Sequence, residues 1–172
     1  MPQLNTGVRA VLDHFWQLST IPRCSGNEAA ACAHVLAWAK AQGFLAGQDA
    51  AGNVLVRVPA RAGLEAAEPV VLQAHLDMVC VKTEASGHDF TRDPVIPRVV
   101  DEWLTADGTT LGADNGIGVA LAMAAAVEPD LPCGELELLF TVDEERGLSG
   151  ALALTPGFVR GRILLNLDSE DE

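Results

Sequence analysis

His75-Leu76-Asp77, Gly112-Ala113-Asp114-Asn115-Gly116, Asp143-Glu144-Glu145 and Asn166-Leu167-Asp168-Ser169-Glu170 are four short runs of imidazole and carboxylate donors between residues 75 and 170 of the chain. These donor types hold zinc and similar divalent cations, and a dinuclear site draws about seven or eight protein ligand atoms from scattered groups of this kind. The chemistry they outline is two-metal hydrolysis.

Each run has its own use. A strand end can aim His75 at a cation while Asp77, two residues on and on the same side of the pleat, orients the ring. Asp114 stands in a glycine-rich turn at the start of an alanine-rich helix, where its two oxygens can bridge two cations and the glycines permit close approach. Glu144 and Glu145 are neighbouring carboxylates, which repel unless cations or a proton separate them. One can ligate metal while the other takes a proton from water acidified by the cation. Taken singly, these runs also fit a buried histidine with its partner, a helix cap and a solvated turn. Glu170, Asp171 and Glu172 read as solvated.

The elements around them explain why the runs should converge. Val70 to Leu76, Glu135 to Val142 and Ile163 to Leu167 read as strands, the first apolar on both faces around Gln73 and the second alternating. Val54 to Val58 is a further strand after the Ala51-Gly52-Asn53 turn. Helical spacing runs from Val8 to Leu18, ending before Ile21-Pro22, and again from a cap at Ser25 or Asn27 to Gly43; Asn115 to Val127 and Ser149 to Leu154 are also helical in character. Strands alternating with helices imply an α/β domain with a partly parallel sheet. In such sheets ligands bind beyond the carboxyl ends of the strands, where three of the four runs fall. The stretch from Cys80 to Trp103 reads as a long surface excursion bordering the substrate site.

The 172 residues fit one domain, and 24 acidic against 11 basic residues give a net charge of −13. That charge repels phosphate backbones and anionic lipid, arguing against nucleic-acid and membrane partners. No apolar run reaches the roughly 18 residues of a membrane span. The opening residues lack the pattern of a secretory signal, so a cytoplasmic location is the expectation. Cys24, Cys32, Cys80 and Cys133 form no Cys-x-x-Cys pair and read as reduced thiols.

Together the motifs resemble the zinc aminopeptidase, carboxypeptidase and aminoacylase group. Within it they resemble the aminoacyl-histidine dipeptidases, also called peptidase D or cytosolic non-specific dipeptidases. The resemblance spans essentially the whole chain and is carried by Pro69 to Val79, His88 to Pro94, Gly108 to Gly118 and Asn166 to Glu170. It implies a zinc-exopeptidase-like mixed sheet flanked by helices, with residues 1–172 as the N-terminal portion of a metallopeptidase catalytic domain. A lid and dimerisation domain and the remainder of the catalytic domain fall outside it.

The resemblance further implies two Zn2+ ions, with Mn2+ or Co2+ as substitutes. His75 and Asp168 bind one, Glu145 binds the other, Asp114 bridges them, Asp77 orients His75 and Glu144 is the general base. Water deprotonated by the glutamate attacks the peptide carbonyl, and the glutamate then protonates the leaving amine. The implied substrates are dipeptides ending in histidine, including β-alanyl-histidine, and the implied full-length partner is a second copy. A last histidine ligand of the second zinc is expected outside these residues. An aminoacylase or deacetylase of the same group, and a non-catalytic metal-binding fragment, are the competing readings. The chain departs from the family pattern at Cys80, where a proline is expected, and at Arg146, where a small residue is expected.

Overall fold

The computed structural model describes residues 5–168. The acids expected to be solvated, Glu170, Asp171 and Glu172, lie outside the described residues. The elements in order are α1 (Thr6–Ser19), α2 (Ala29–Ala41), β1 (Leu45–Gln48), β2 (Val54–Val58), β3 (Val70–His75), β4 (Arg98–Val100), β5 (Trp103–Thr105), α3 (Ala113–Val127), β6 (Leu136–Thr141), α4 (Ser149–Leu152) and β7 (Ile163–Asn166). The fold is the expected α/β arrangement.

Five strands form one mixed sheet in the order β1-β2-β6-β3-β7. β1, β2 and β6 pair antiparallel, whereas β6, β3 and β7 run parallel. The parallel trio positions the site, because its three carboxyl ends emerge along one edge. His75 is paired with Thr141 and Gln73 with Asn166, so the chain two residues beyond Asn166 reaches Asp168 level with His75.

Alternation along β6 points Leu136, Leu138 and Phe140 into the main core with Val54, Val56, Leu72 and Ala74. α1, α2 and α3 cover this face with Leu18, Val35, Val119 and Met123. Leu139, Val71 and Leu55 face the other way under Leu154, Phe158 and Val159. Every residue of β6 is therefore buried, including Glu137. Its carboxylate is satisfied by Arg57 at 3.0 Å and by the backbone N–H groups of Arg160 and Gly161 at 2.7 and 2.8 Å, as a buried charge requires.

Asn5 caps α1 by accepting from the Val8 N–H at 2.8 Å. α2 differs from expectation: neither Ser25 nor Asn27 caps it, and the residue at its start, Glu28, makes no side-chain cap. Glu28 accepts instead from the N–H groups of Gly26 and Asp143, and Ser25 donates to Asp77. The signal was real polar chemistry spent on tertiary contacts. The excursion after Cys80 contains β4 and leads into β5, the two pairing antiparallel. The reduced-thiol expectation is corrected at two positions: Cys24 and Cys80 form a disulfide, while Cys32 and Cys133 remain free. These partners are 56 residues apart, and β3 returns the chain beside the loop after α1. No helix among the described residues is long and apolar enough to cross a membrane.

Candidate metal centre

His75 is the hub. Its ring is 1% exposed at the end of β3, with Nδ1 3.3 Å from Asp77 Oδ1 and Nε2 3.0 Å from Asp114 Oδ1. Glu144 and Asp168 place oxygens 3.8 and 3.7 Å from the same Nε2. One donor atom each from His75, Asp114 and Glu145 lies within 4.8 Å of the others, and so does one each from His75, Glu144 and Asp168. The ends of β3, β6 and β7 and the start of α3 thus deliver all five groups to one place.

Asp77 secures two of those ends. Fully buried, it accepts from the N–H groups of Glu144 and Glu145 at 3.0 and 3.1 Å and from Ser25 Oγ at 2.7 Å. The Asp-Glu-Glu turn is therefore hung on the carboxylate that also faces the His75 ring. Asn115 joins the remaining two segments, donating from Nδ2 to Asp168 Oδ1 at 2.6 Å and to the Leu167 carbonyl at 3.2 Å. Beside it a cleft of about 340 Å3 is lined by Asp114, Asn115, Ile117, Gly118, Leu167 and Asp168.

Charge is strongly unbalanced here. Burial pulls the His75 imidazolium down, but its hydrogen bond to Asp77 and the charges of Asp77, Asp168 and Glu144 prevail and raise its pKa to about 9. Burial likewise pushes Asp77 up, yet His75, the two backbone N–H groups and Ser25 hold it well below the usual carboxylate range. Glu144 and Glu145 are both raised, first by desolvation. Asp168 adds to the effect at Glu144 and Asp114 to that at Glu145, against the opposing pull of His75. Among the described residues no lysine or arginine pairs with Asp114, Glu144, Glu145 or Asp168; the ion pairs of Arg57, Arg92, Arg98 and Arg146 are made elsewhere. An imidazole among four carboxylates that no lysine or arginine pairs with is a donor set suited to a divalent cation.

A third acidic group, Glu28, Asp77 and Asp143, also gathers within ligating distance. Its lone pairs are already used by backbone N–H groups, Ser25, Ser149 and Arg146. Arg146 pairs with Asp143 at 2.6 Å and makes no ion pair with either glutamate among the described residues. Cys80 lies near the centre as half of a disulfide, in a depression shared with Cys24 and Glu145. His88 packs edge-on against Phe90 and belongs to none of the candidate ligand groups among the described residues.

The six residues expected to act, His75, Asp77, Asp114, Glu144, Glu145 and Asp168, are thus brought together. Sequence reasoning missed Arg23, Ser25, Glu28 and Asn115, which act through backbone groups or through other side chains. Asn115 had a local signal beside Asp114 in the glycine-rich run, and Ser25 and Glu28 had one that read as helix capping; Arg23 had none.

The chain is similar to known peptidases. It is 47% identical over 160 residues to the cytosol non-specific dipeptidase of Escherichia coli (strain K12), covering 93% of this chain and 33% of the relative. The aminoacylhistidine dipeptidase structure from Vibrio alginolyticus superposes with a TM-score of 0.92 at 46% identity, covering 95% of this chain and 33% of the other. The aminopeptidase PepT structure from Bacillus cereus gives a TM-score of 0.79 at 26% identity, over 95% and 44% of the two chains. This chain therefore spans about a third of the length of the two dipeptidases. The family model described as peptidase family M20/M25/M40 matches residues 71–167, a segment that carries His75, Asp114, Glu144 and Glu145 and ends one residue before Asp168, and the chain belongs to that family.

Proposed function

We propose that this chain is the N-terminal portion of the catalytic domain of a zinc-dependent dipeptidase acting on aminoacyl-histidine peptides, β-alanyl-histidine among them. The carrying observation is the single focus formed by His75 Nε2, Asp114, Glu144 and Asp168, with Glu145 in reach of His75 and Asp114. The substrate class rests on similarity to the Vibrio and Escherichia dipeptidases.

In this reading His75 and Asp168 would hold one cation and Glu145 the second, with Asp114 contributing to both. When bound, the cations would supply Lewis acidity for a peptide carbonyl and for water. Glu144 takes a proton from the attacking water and returns it to the departing amine. Asp77 keeps the Nδ1 edge of His75 engaged, leaving Nε2 for metal. The whole protein is proposed to work as a homodimer in the cytoplasm.

Calorimetric titration with zinc tests the centre, and hydrolysis of β-alanyl-histidine against N-acetyl amino acids tests the substrate class. Preference for the acylated amino acids would replace the dipeptidase reading with an aminoacylase one. A second reading, a non-catalytic metal-binding fragment, is favoured by one observation: Ile163, Leu164 and Leu165 of the edge strand β7 are about half exposed. Open apolar edges self-associate, so a monomeric chain in sedimentation would count against it.

A further inference from the structure

We infer that Arg23 is a positioning residue for the metal centre. Its guanidinium bolts the His75–Asp77 strand end to the turn that presents Asp114, holding ligands from the two segments at a set spacing before a cation arrives. The inference rests on the metal-centre reading above.

Arg23 is 1% exposed and belongs to the loop between α1 and α2, which carries no candidate ligand. Its Nη1 donates to the carbonyls of Leu76 and Asp77 at 2.9 and 3.0 Å, and its Nη2 donates to the Gly112 carbonyl. The Asp77 carbonyl also lies 3.1 Å from His75 Nδ1, so the guanidinium and the imidazole share one acceptor. The Arg23 carbonyl in turn accepts from the Met78 N–H at 3.1 Å. One side chain thereby spans the segment behind His75 and the segment in front of Asp114.

The glycines of the Asp114 run make room for it. A Cβ on Gly112 would stand 2.7 Å from Arg23 Nη2 and 2.6 Å from Met78 Sδ. A Cβ on Gly116 would stand 2.6 Å from the same nitrogen and 2.9 Å from Phe15 Cε2. Both contacts are closer than side chains tolerate, so the slot exists because these positions lack side chains. A forked, planar donor fits three carbonyls in this way, whereas a lysine ammonium is a single point.

Electrostatics and geometry make opposite predictions. A fixed positive charge beneath the site opposes a dication, so on charge alone a neutral replacement would tighten zinc binding. Positioning demands the reverse.

The test is calorimetric zinc titration of the 172-residue chain and its Arg23→Met, Arg23→Lys and Gly116→Ala variants, with folding checked by circular dichroism. We expect all three to fold and to bind zinc at least about tenfold more weakly, the loss typical when support of a ligand is removed. Gly116→Ala crowds the guanidinium without removing it, and crowds Phe15 as well, so it supports the two Arg23 variants, which decide the matter. Wild-type or tighter binding by folded Arg23→Met or Arg23→Lys would overturn the inference. So would failure of both to fold, which would assign the residue to the fold and not to the site. If the unaltered chain bound no zinc, the metal-centre reading would fall and this inference with it; equal binding by all four proteins would overturn the inference alone.

Discussion

Asp77 faces the His75 ring at 3.3 Å and, through its two oxygens, also accepts the backbone N–H groups of Glu144 and Glu145. One buried carboxylate thus orients a histidine on β3 and the turn that follows β6. Replacing it disturbs both. Asp77→Asn presents an amide that cannot accept at both of its ends, and we expect zinc affinity to fall about 10- to 100-fold in a folded protein. Unchanged affinity in calorimetry would mean that the Asp-Glu-Glu turn holds its place unaided.

The two neighbouring glutamates separate by function. Glu145→Ala is expected to weaken zinc binding. Glu144→Ala is expected to keep zinc within about tenfold while lowering dipeptide hydrolysis by about 100-fold or more in a protein competent for turnover. Retained hydrolysis in Glu144→Ala would remove it as the base.

Metal should stabilise the fold, since its ligands come from β3, α3 and the turns after β6 and β7. With free zinc at a hundred times its dissociation constant the stabilisation is about 2.7 kcal/mol. Thermal melts should therefore rise with zinc and return to the metal-free value with chelator. Coincident melts would contradict a site that spans these elements.

A pH response is expected far from the centre. His14 on α1 and His34 on α2 both have lowered pKa values, chiefly from burial; at His14 the charge of His34 adds to the effect and that of Asp13 opposes it. The unfolded chain takes up these protons near the ordinary histidine value of 6.5, while the folded one resists. Their contribution is thus intact above pH 6.5 and is lost as pH falls through the lower folded values. His34→Gln should flatten the decline in melting temperature between pH 7.5 and about 5. An identical decline in the variant would show that these histidines are not its source.

The cysteines differ in accessibility. Non-reducing peptide mapping should recover Cys24 joined to Cys80, and Cys32, whose thiol is pushed up to about 11 first by burial, should resist alkylation until the chain is unfolded. Rapid labelling of Cys32 in the native protein would argue against its place on the buried face of α2.

Much of the site was legible because its ligands sit at strand ends, and strands of four or more apolar residues announce themselves. Val70 to Leu76 and Ile163 to Leu167 were read in place to within a residue, carrying His75 and Asp168 with them. β1, β4 and β5 were not read: Leu45–Gln48 contains a glycine and is exposed throughout, and the other two strands are three residues long. Arg23 was illegible for a different reason. Its acceptors are backbone carbonyls 53 to 89 residues away, and a carbonyl has no residue type to recognise. The Cys24–Cys80 pair depends likewise on topology rather than spacing.

The central claim is that the four runs converge into one cation site, and zinc titration of the unaltered chain beside Asp114→Ala tests it most directly. The account predicts specific saturable binding that is lost when Asp114, 3.0 Å from His75 Nε2, is removed. No specific binding by the unaltered chain, or equal binding by Asp114→Ala, would contradict it.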